Sequence, residues 1–174
     1  VRTEAIKELR GLTGAGIMSC KKALEEAKGD MTGAVEILKQ QGLAKAQKKA
    51  HREVRQGLIE TYIHTGGRIG ALVEVNCESD FAAHTDEFKA LARNLAMQVA
   101  ATAPAFLSRD DFKQDDLPDG VDLDEVNPDE VCLLSQPFIR DPERTVHDII
   151  SDTIAKVGEN IRVRRFARFE LGRD

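Results

Sequence analysis

The sequence predicts an α+β fold, with an N-terminal three-helix module ahead of a core of mainly antiparallel sheet packed with helices. Three patterns carry that expectation. Residues 1–42 place apolar side chains at helical spacing in three short bursts, and residues 58–75 switch to the period-two alternation of strands around a glycine-containing turn. Two further amphipathic helices then precede a β-branched and aromatic segment at the end of the chain. A length of 174 residues suits one good core with a small satellite module.

In the module, Thr3 is placed to cap a helix with Ile6 and Leu9 on one face, and Ser19 to cap a second carrying Ala23, Leu24 and Ala27. Asp30 can cap a third, in which Met31, Ala34, Val35 and Leu38 share a face and Gly42 reads as the stop. "GLTGAGIMS" reads as the loop between the first two helices. Residues 43–56 read as a partly exposed, basic connecting helix, and 57–174 as the core.

Within the core, "LIETYIH" and "RIGALVEVN" flank "TGG" as a hairpin with Ile69, Ala71, Val73 and Val75 on its buried face. Phe88, Leu91, Ala92, Leu95 and Val99 return to helical spacing in a helix that ends before Pro104. "VCLLSQPF" reads as a short buried strand or bridge halted by Pro137. Thr145 and Asp148 form a capping-box-like pair before the stripe Val146, Ile149, Ile150, Ile154 and Val157; Gly158 ends that helix, and "IRVRRFARFEL" is the last strand.

Composition narrows the function classes. With 41% hydrophobic and 32% charged residues the chain is an ordinary soluble type, and no apolar run approaches the roughly 18 to 20 residues that span a bilayer. Neither a membrane span nor a secretory signal is expected. Cys20, Cys77 and Cys132 are odd in number, far apart and in no Cys-x-x-Cys spacing, which argues against a disulfide framework or zinc site and for a reducing, cytoplasmic compartment. The net charge of −5 is uneven: Asp110 to Glu130 holds ten acidic residues and one lysine, leaving +4 for the rest. This acidic segment, about 108–130, has no periodicity and is expected to be a mobile, solvated loop with little part in function.

No catalytic constellation emerges. His51, His64, His84 and His147 fall on different predicted elements without a nucleophile or carboxylate at catalytic spacing, so no enzyme, no metal site and no cofactor is expected. "GLTGAG" follows a helix and lacks the Gly-Lys-Ser/Thr ending of a phosphate loop. Two basic tracts, Lys45, Lys48, Lys49, Arg52 and Arg55, then Arg162, Arg164, Arg165 and Arg168, could neutralise phosphates. Glu53 interrupts the first, Glu170 and Asp174 follow the second, and no stacking aromatic accompanies the lysines, which favours a salt-bridged surface over nucleic acid. In "EVNCESDFAAHTDEF", local pattern favours Phe81 as a buried ring in a hairpin-to-helix corner, with Asp80 an N-cap or early-turn acid.

Four segments in order, "KELRGLTGAGIMSCKKALEEAKGD", "EVNCESDFAA", "LLSQPFIRD" and "AKVGENIRVRRFARFE", resemble the signatures of the elongation factor Ts family. That resemblance implies a UBA-like N-terminal module, elongation factor Tu as partner, and guanine-nucleotide exchange by an Asp-Phe corner wedged into the partner's G domain beside the magnesium of its bound nucleotide. It carries the partner-contact role to Asp80 and Phe81 with their neighbours Ser79 and Ala82, and to Arg10, Ile17 and Met18, with Lys7 beside them, reversing the local reading of Phe81. Ser79 and Ala82 stand where the family commonly has Thr and Val, His84 where Lys or Arg is frequent, and Ser19 in place of an Asp. Long family members carry two related core subdomains and this chain reads as one; with the open edge of a three- or four-stranded sheet inviting a symmetric partner, this implies a homodimer built through the core sheet. The rival reading is a UBA-like helper that binds RNA or ribosomes through the basic tracts.

Overall fold

The computed structural model describes residues 2–111 and 126–173, so the expectation for the acidic loop falls largely on residues 112–125, outside those described. Three helices open the chain: α1 (Thr3–Thr13), α2 (Ile17–Glu26) and α3 (Met31–Lys49). Leu9, Cys20, Ala23, Leu24, Ala34 and Leu38 close a small apolar centre of their own, since none of these helices buries enough surface to stand alone. The Asp30 carboxylate accepts the Gly33 N–H at 2.7 Å, as a cap should.

Four boundary expectations are corrected. Thr3 lies inside the first turn, after Arg2, and α2 starts at Ile17 after Gly16, which makes Ser19 a helix residue rather than its cap. The loop between α1 and α2 is only Gly14–Gly16, because Gly14 turns left-handed (φ 65°) and returns its N–H to the Arg10 carbonyl. Gly42 stops nothing: α3 runs through it to Lys49, absorbing the predicted connecting helix. A Cβ at Gly42 would lie 3.5 Å from Asp152 Oδ1 and 4.0 Å from the Ala155 Cβ, so this position sets how closely α3 lies on a later helix. Packing outweighs the roughly 1 kcal/mol propensity cost of a mid-helix glycine. Beyond it, Ala46 already belongs to the main core.

That core begins with the antiparallel hairpin β1 (Gln56–Ile63) and β2 (Ile69–Cys77). The four-residue α4 (Asp80–Ala83) and the long α5 (Asp86–Thr102) follow, then α6 (Pro128–Val131), the short strands β3 (Pro137–Phe138) and β4 (Asp141–Thr145), α7 (Val146–Val157) and β5 (Ile161–Glu170). Pro137 opens β3 rather than halting a strand, while Cys132 makes the expected buried bridge, to Phe106. The main sheet has the order β1-β2-β5 and is antiparallel throughout. Ala71, Val73 and Val75 face Phe88, Leu91, Leu95 and Val99 of α5 and Val146, Ile150 and Ile154 of α7. These alternations and stripes match those read from the sequence.

A bulge in β5 leaves Arg164 unpaired between Arg165, opposite Glu74, and Val163, opposite Val75. Both arginines then reach the Glu74 carboxylate, at 3.1 and 2.7 Å, and hold it below the usual carboxylate range. Asp148 completes the capping box: its Oδ2 accepts the Thr145 N–H, its own N–H goes to Thr145 Oγ1, and Lys39 of α3 stands 3.5 Å away. Burial pushes this carboxyl up, but the Thr145 bonds and Lys39 outweigh it and the net shift is downward.

A depressed folded-state value stabilises the fold above the ordinary carboxylate pKa of about 3.9, and that contribution is lost as pH falls through the lowered value. Asp148→Asn should therefore cost about 0.5 to 1 kcal/mol in urea unfolding at neutral pH, with the gap to the native chain closing below about pH 4. A gap independent of pH would show that the carboxylate charge contributes nothing here.

Candidate functional site

The hairpin-to-helix corner is built by bonds that converge on Ser79. Its N–H donates to Glu159 Oε2 at 2.9 Å and its hydroxyl to Glu159 Oε1 at 2.5 Å, while the same oxygen accepts the Ala82 N–H at 3.3 Å as the cap of α4. Its carbonyl accepts the Cys77 thiol at 3.1 Å. Burial, followed by the Glu159 charge, pushes that thiol up to about 11, so it is a protonated donor at neutral pH. Every polar atom of Ser79 is engaged.

The next bonds extend the frame on both sides. Glu78 Oε1 accepts the Asn160 N–H at 2.6 Å and faces the Arg52 guanidinium at 3.4 Å. Asn160, almost wholly buried, donates from Nδ2 to the Arg52 carbonyl at 2.8 Å and to that of Ala50 at 3.5 Å. On the far side of α4, Thr85 donates to the Ala82 carbonyl at 2.7 Å and caps α5 through the Phe88 N–H.

This frame turns two consecutive side chains outward. Phe81 is 83% exposed, against 0% for Phe88 seven residues later. The local expectation of a buried corner ring is thus corrected: α4 buries Ala82 and Ala83 against the sheet, and a helix with that inward face must point residue 81 at solvent. Asp80 is the early-turn acid, with Ser79 as the cap; it lies on the surface with His84 Nδ1 at 3.6 Å from Oδ2 and 2.7 Å from its carbonyl. Ser79 is partly buried and Ala82 offers almost no surface.

Of the module residues singled out above, Lys7 and Arg10 are exposed on α1, and Ile17 and Met18 stand out from the first turn of α2 at 55% and 63% exposure. Leu12, also exposed, joins them as a residue that sequence reasoning missed, because its spacing from Leu9 reads as core. No hydrogen bond or ion pair among the described residues joins this group to the corner. Leu12 and Gly16 nevertheless line one groove of about 1100 Å³ with Glu87 in the first turn of α5. Glu159 and Asn160 were missed as well. Their partners lie about eighty residues or more away in sequence, a separation that no periodicity signals.

The arginines of the basic tracts are bonded internally, whereas Lys45 and Lys48 stand exposed on α3. Arg52 pairs with Glu78, Arg55 with Glu53, Arg164 and Arg165 with Glu74, and Arg168 with Glu170 and the Ala100 carbonyl; Arg162 donates to the Ala50 carbonyl. Among the described residues no cluster of His, Cys, Asp and Glu is arranged to hold a metal ion, and no helix is long and apolar enough to cross a membrane.

Comparison with known proteins places these features in a family. Residues 19–121 match the family model described as elongation factor TS. The elongation factor Ts of Carboxydothermus hydrogenoformans is 50% identical over 99% of this chain and 89% of its own length. That of Thermoanaerobacter sp. is 50% identical over 99% and 95%, and that of Rippkaea orientalis 48% over 99% and 78%.

Phe81→Ala should leave the melting curve of the isolated chain within about 0.5 kcal/mol of native, as for an exposed side chain. Phe88→Ala, which empties a core site, should cost about 3 to 5 kcal/mol. Equal losses for the two would return Phe81 to the core.

Proposed function

The chain belongs to the elongation factor Ts family, and from that premise we propose that it binds elongation factor Tu with GDP and accelerates GDP release by inserting Phe81 beside the partner's magnesium site. The observation that carries this reading is a large ring held in solvent by a fully bonded corner. Burying a Phe side chain releases about 1.5 to 3 kcal/mol. If the ring's pocket exists only in a distorted G domain, that energy falls on the distorted state alone, and magnesium and phosphate contacts weaken in consequence. By linkage, bound nucleotide weakens the factor's grip by the same ratio, so an incoming nucleotide expels it. The factor forms no covalent bond and uses no group beyond the partner's own GDP and magnesium.

In this reading Asp80 and Phe81 touch the partner, Ser79 and Ala82 hold them out, and Lys7, Arg10, Ile17 and Met18, with Leu12, form a second contact on the UBA-like module. The internal pairing of the arginines, those of the last strand above all, favours this function over RNA or ribosome binding.

A homodimer belongs to the same proposal, through a face of the sheet rather than an edge. The face turned away from the helices carries Ile59, Ile63, Leu72 and Phe169, brought together by the registers Ile59↔Glu74, Thr61↔Leu72↔Ala167 and Ile63↔Gly70↔Phe169, with Leu171 beside them. An apolar sheet face of this kind suits a self-complementary contact around a twofold axis.

With elongation factor Tu loaded with fluorescent GDP, the chain should speed release, and Phe81→Ala should remove about 2 kcal/mol of that effect, roughly thirtyfold. Asp80→Asn should fold normally and slow release to a lesser degree. Release no faster with the native chain than without it, or as fast with Phe81→Ala as with the native chain, would sink the reading. For the dimer, Leu72→Glu with Phe169→Glu should give monomers in sedimentation equilibrium at micromolar concentration; a native chain that is itself monomeric there would rule the dimer out.

A further inference from the structure

We propose that Glu159 is a positioning residue for nucleotide exchange, fixing the direction in which the corner presents Phe81; this rests on the function proposed above. Gly158 ends α7 in the left-handed region (φ 83°), and the residue after it is thereby thrown across to the start of α4. A carboxylate supplies two acceptor oxygens, and Ser79 offers two donors, its N–H and its hydroxyl, at 2.9 and 2.5 Å. The chemistry of the hydroxyl makes this match decisive. It has one proton, and because that proton goes to Glu159, the oxygen keeps its lone pairs free to accept from the Ala82 N–H.

Glu159 thus selects the rotor state in which Ser79 caps α4; Ala82 and Ala83 seat this four-residue helix on the sheet, but its first turn, which carries Phe81, has little backbone ladder of its own to fix it. The neighbouring bond runs the opposite way across the same junction: Glu78 of the corner accepts the Asn160 N–H, while Glu159 accepts from Ser79. Two adjacent residues on each segment are therefore cross-bonded, which resists rotation of the corner about the end of α7 as well as its displacement. Asn160 passes the restraint to the exit of α3 through the Arg52 and Ala50 carbonyls, and α3 carries the N-terminal module. The two proposed contact regions are held by one junction.

The test uses the full chain with Glu159→Gln, a substitution of the same shape. Glutamine presents one acceptor and one N–H₂ to Ser79, so with the Ser79 N–H on the amide oxygen the hydroxyl turns to accept from the amide nitrogen; its proton is then free to occupy the position facing the Ala82 N–H, and the cap is no longer enforced. The Ala82 amide should exchange with solvent faster than in the native chain, a readout that needs no partner. GDP release from elongation factor Tu at saturating factor should slow about tenfold with a cooperative melt retained. Combining Glu159→Gln with Phe81→Ala should lose clearly less than the product of the two single losses, since Glu159 acts mainly through the ring.

Native-like Ala82 exchange, release within about twofold of native, or multiplicative losses in the double variant would each overturn the proposal, as would a Glu159→Gln chain that fails to fold. A native chain that does not accelerate release, or a Phe81→Ala chain that retains full activity, would refute the proposed function instead. In that case the Ala82 exchange result alone decides whether Glu159 sets the corner.

Discussion

Residues 78–79 and 159–160 are bonded to one another in both directions, and the rest of the molecule is organised around that crossing. It is where β2 gives way to the corner, where α7 gives way to β5, and where Asn160 collects the end of α3. The acceptors are carboxylates and the donors backbone and hydroxyl groups; bonds of this charge-assisted kind contribute about 1.5 to 3 kcal/mol each when shielded from water. A hydrophobic contact could supply comparable energy but no direction. Direction is what the corner requires, because α4 is too short to be held by its own ladder.

The same economy explains why an exposed ring is tolerated. Ala82 and Ala83 fill the inward face of α4 with the smallest side chains that can pack there, so the corner lies close on the sheet and Phe81 is left outside. The isolated fold gains nothing from that ring. Its burial energy of about 1.5 to 3 kcal/mol remains available for a second molecule, enough to shift a conformational equilibrium there by one to two orders of magnitude. A flexible presentation would forfeit part of that in ordering entropy, so in the proposed function the bonded frame and the exposed ring act together.

Much of the fold was legible in the sequence because local periodicity and tertiary burial agree. The alternation of Ala71, Val73 and Val75, the stripe of α5, the Thr145–Asp148 box and the Gly158 stop all follow from spacing and capping chemistry. Gly42 misled because a glycine after an apolar stripe has the pattern of a C-terminal stop, whereas here a crossing helix uses its missing side chain. Phe81 misled for a related reason: a large ring between a strand and a helix has the local pattern of core, and only the ordered likeness of four segments to a family pointed outward. The Glu159–Ser79 bond left no local trace, since a polar pair separated by eighty residues has no period to reveal it.

Exchange by this mechanism requires the ring to discriminate between two states of its partner, and one titration addresses that requirement. The dissociation constant of the native chain should be at least tenfold lower for nucleotide-free elongation factor Tu than for the GDP-bound form, within the range typical of coupled sites. Phe81→Ala should lose most of that ratio while keeping a stable fold. A native chain with equal affinity for the two forms, or a Phe81→Ala chain that preserves the full ratio, would contradict the account.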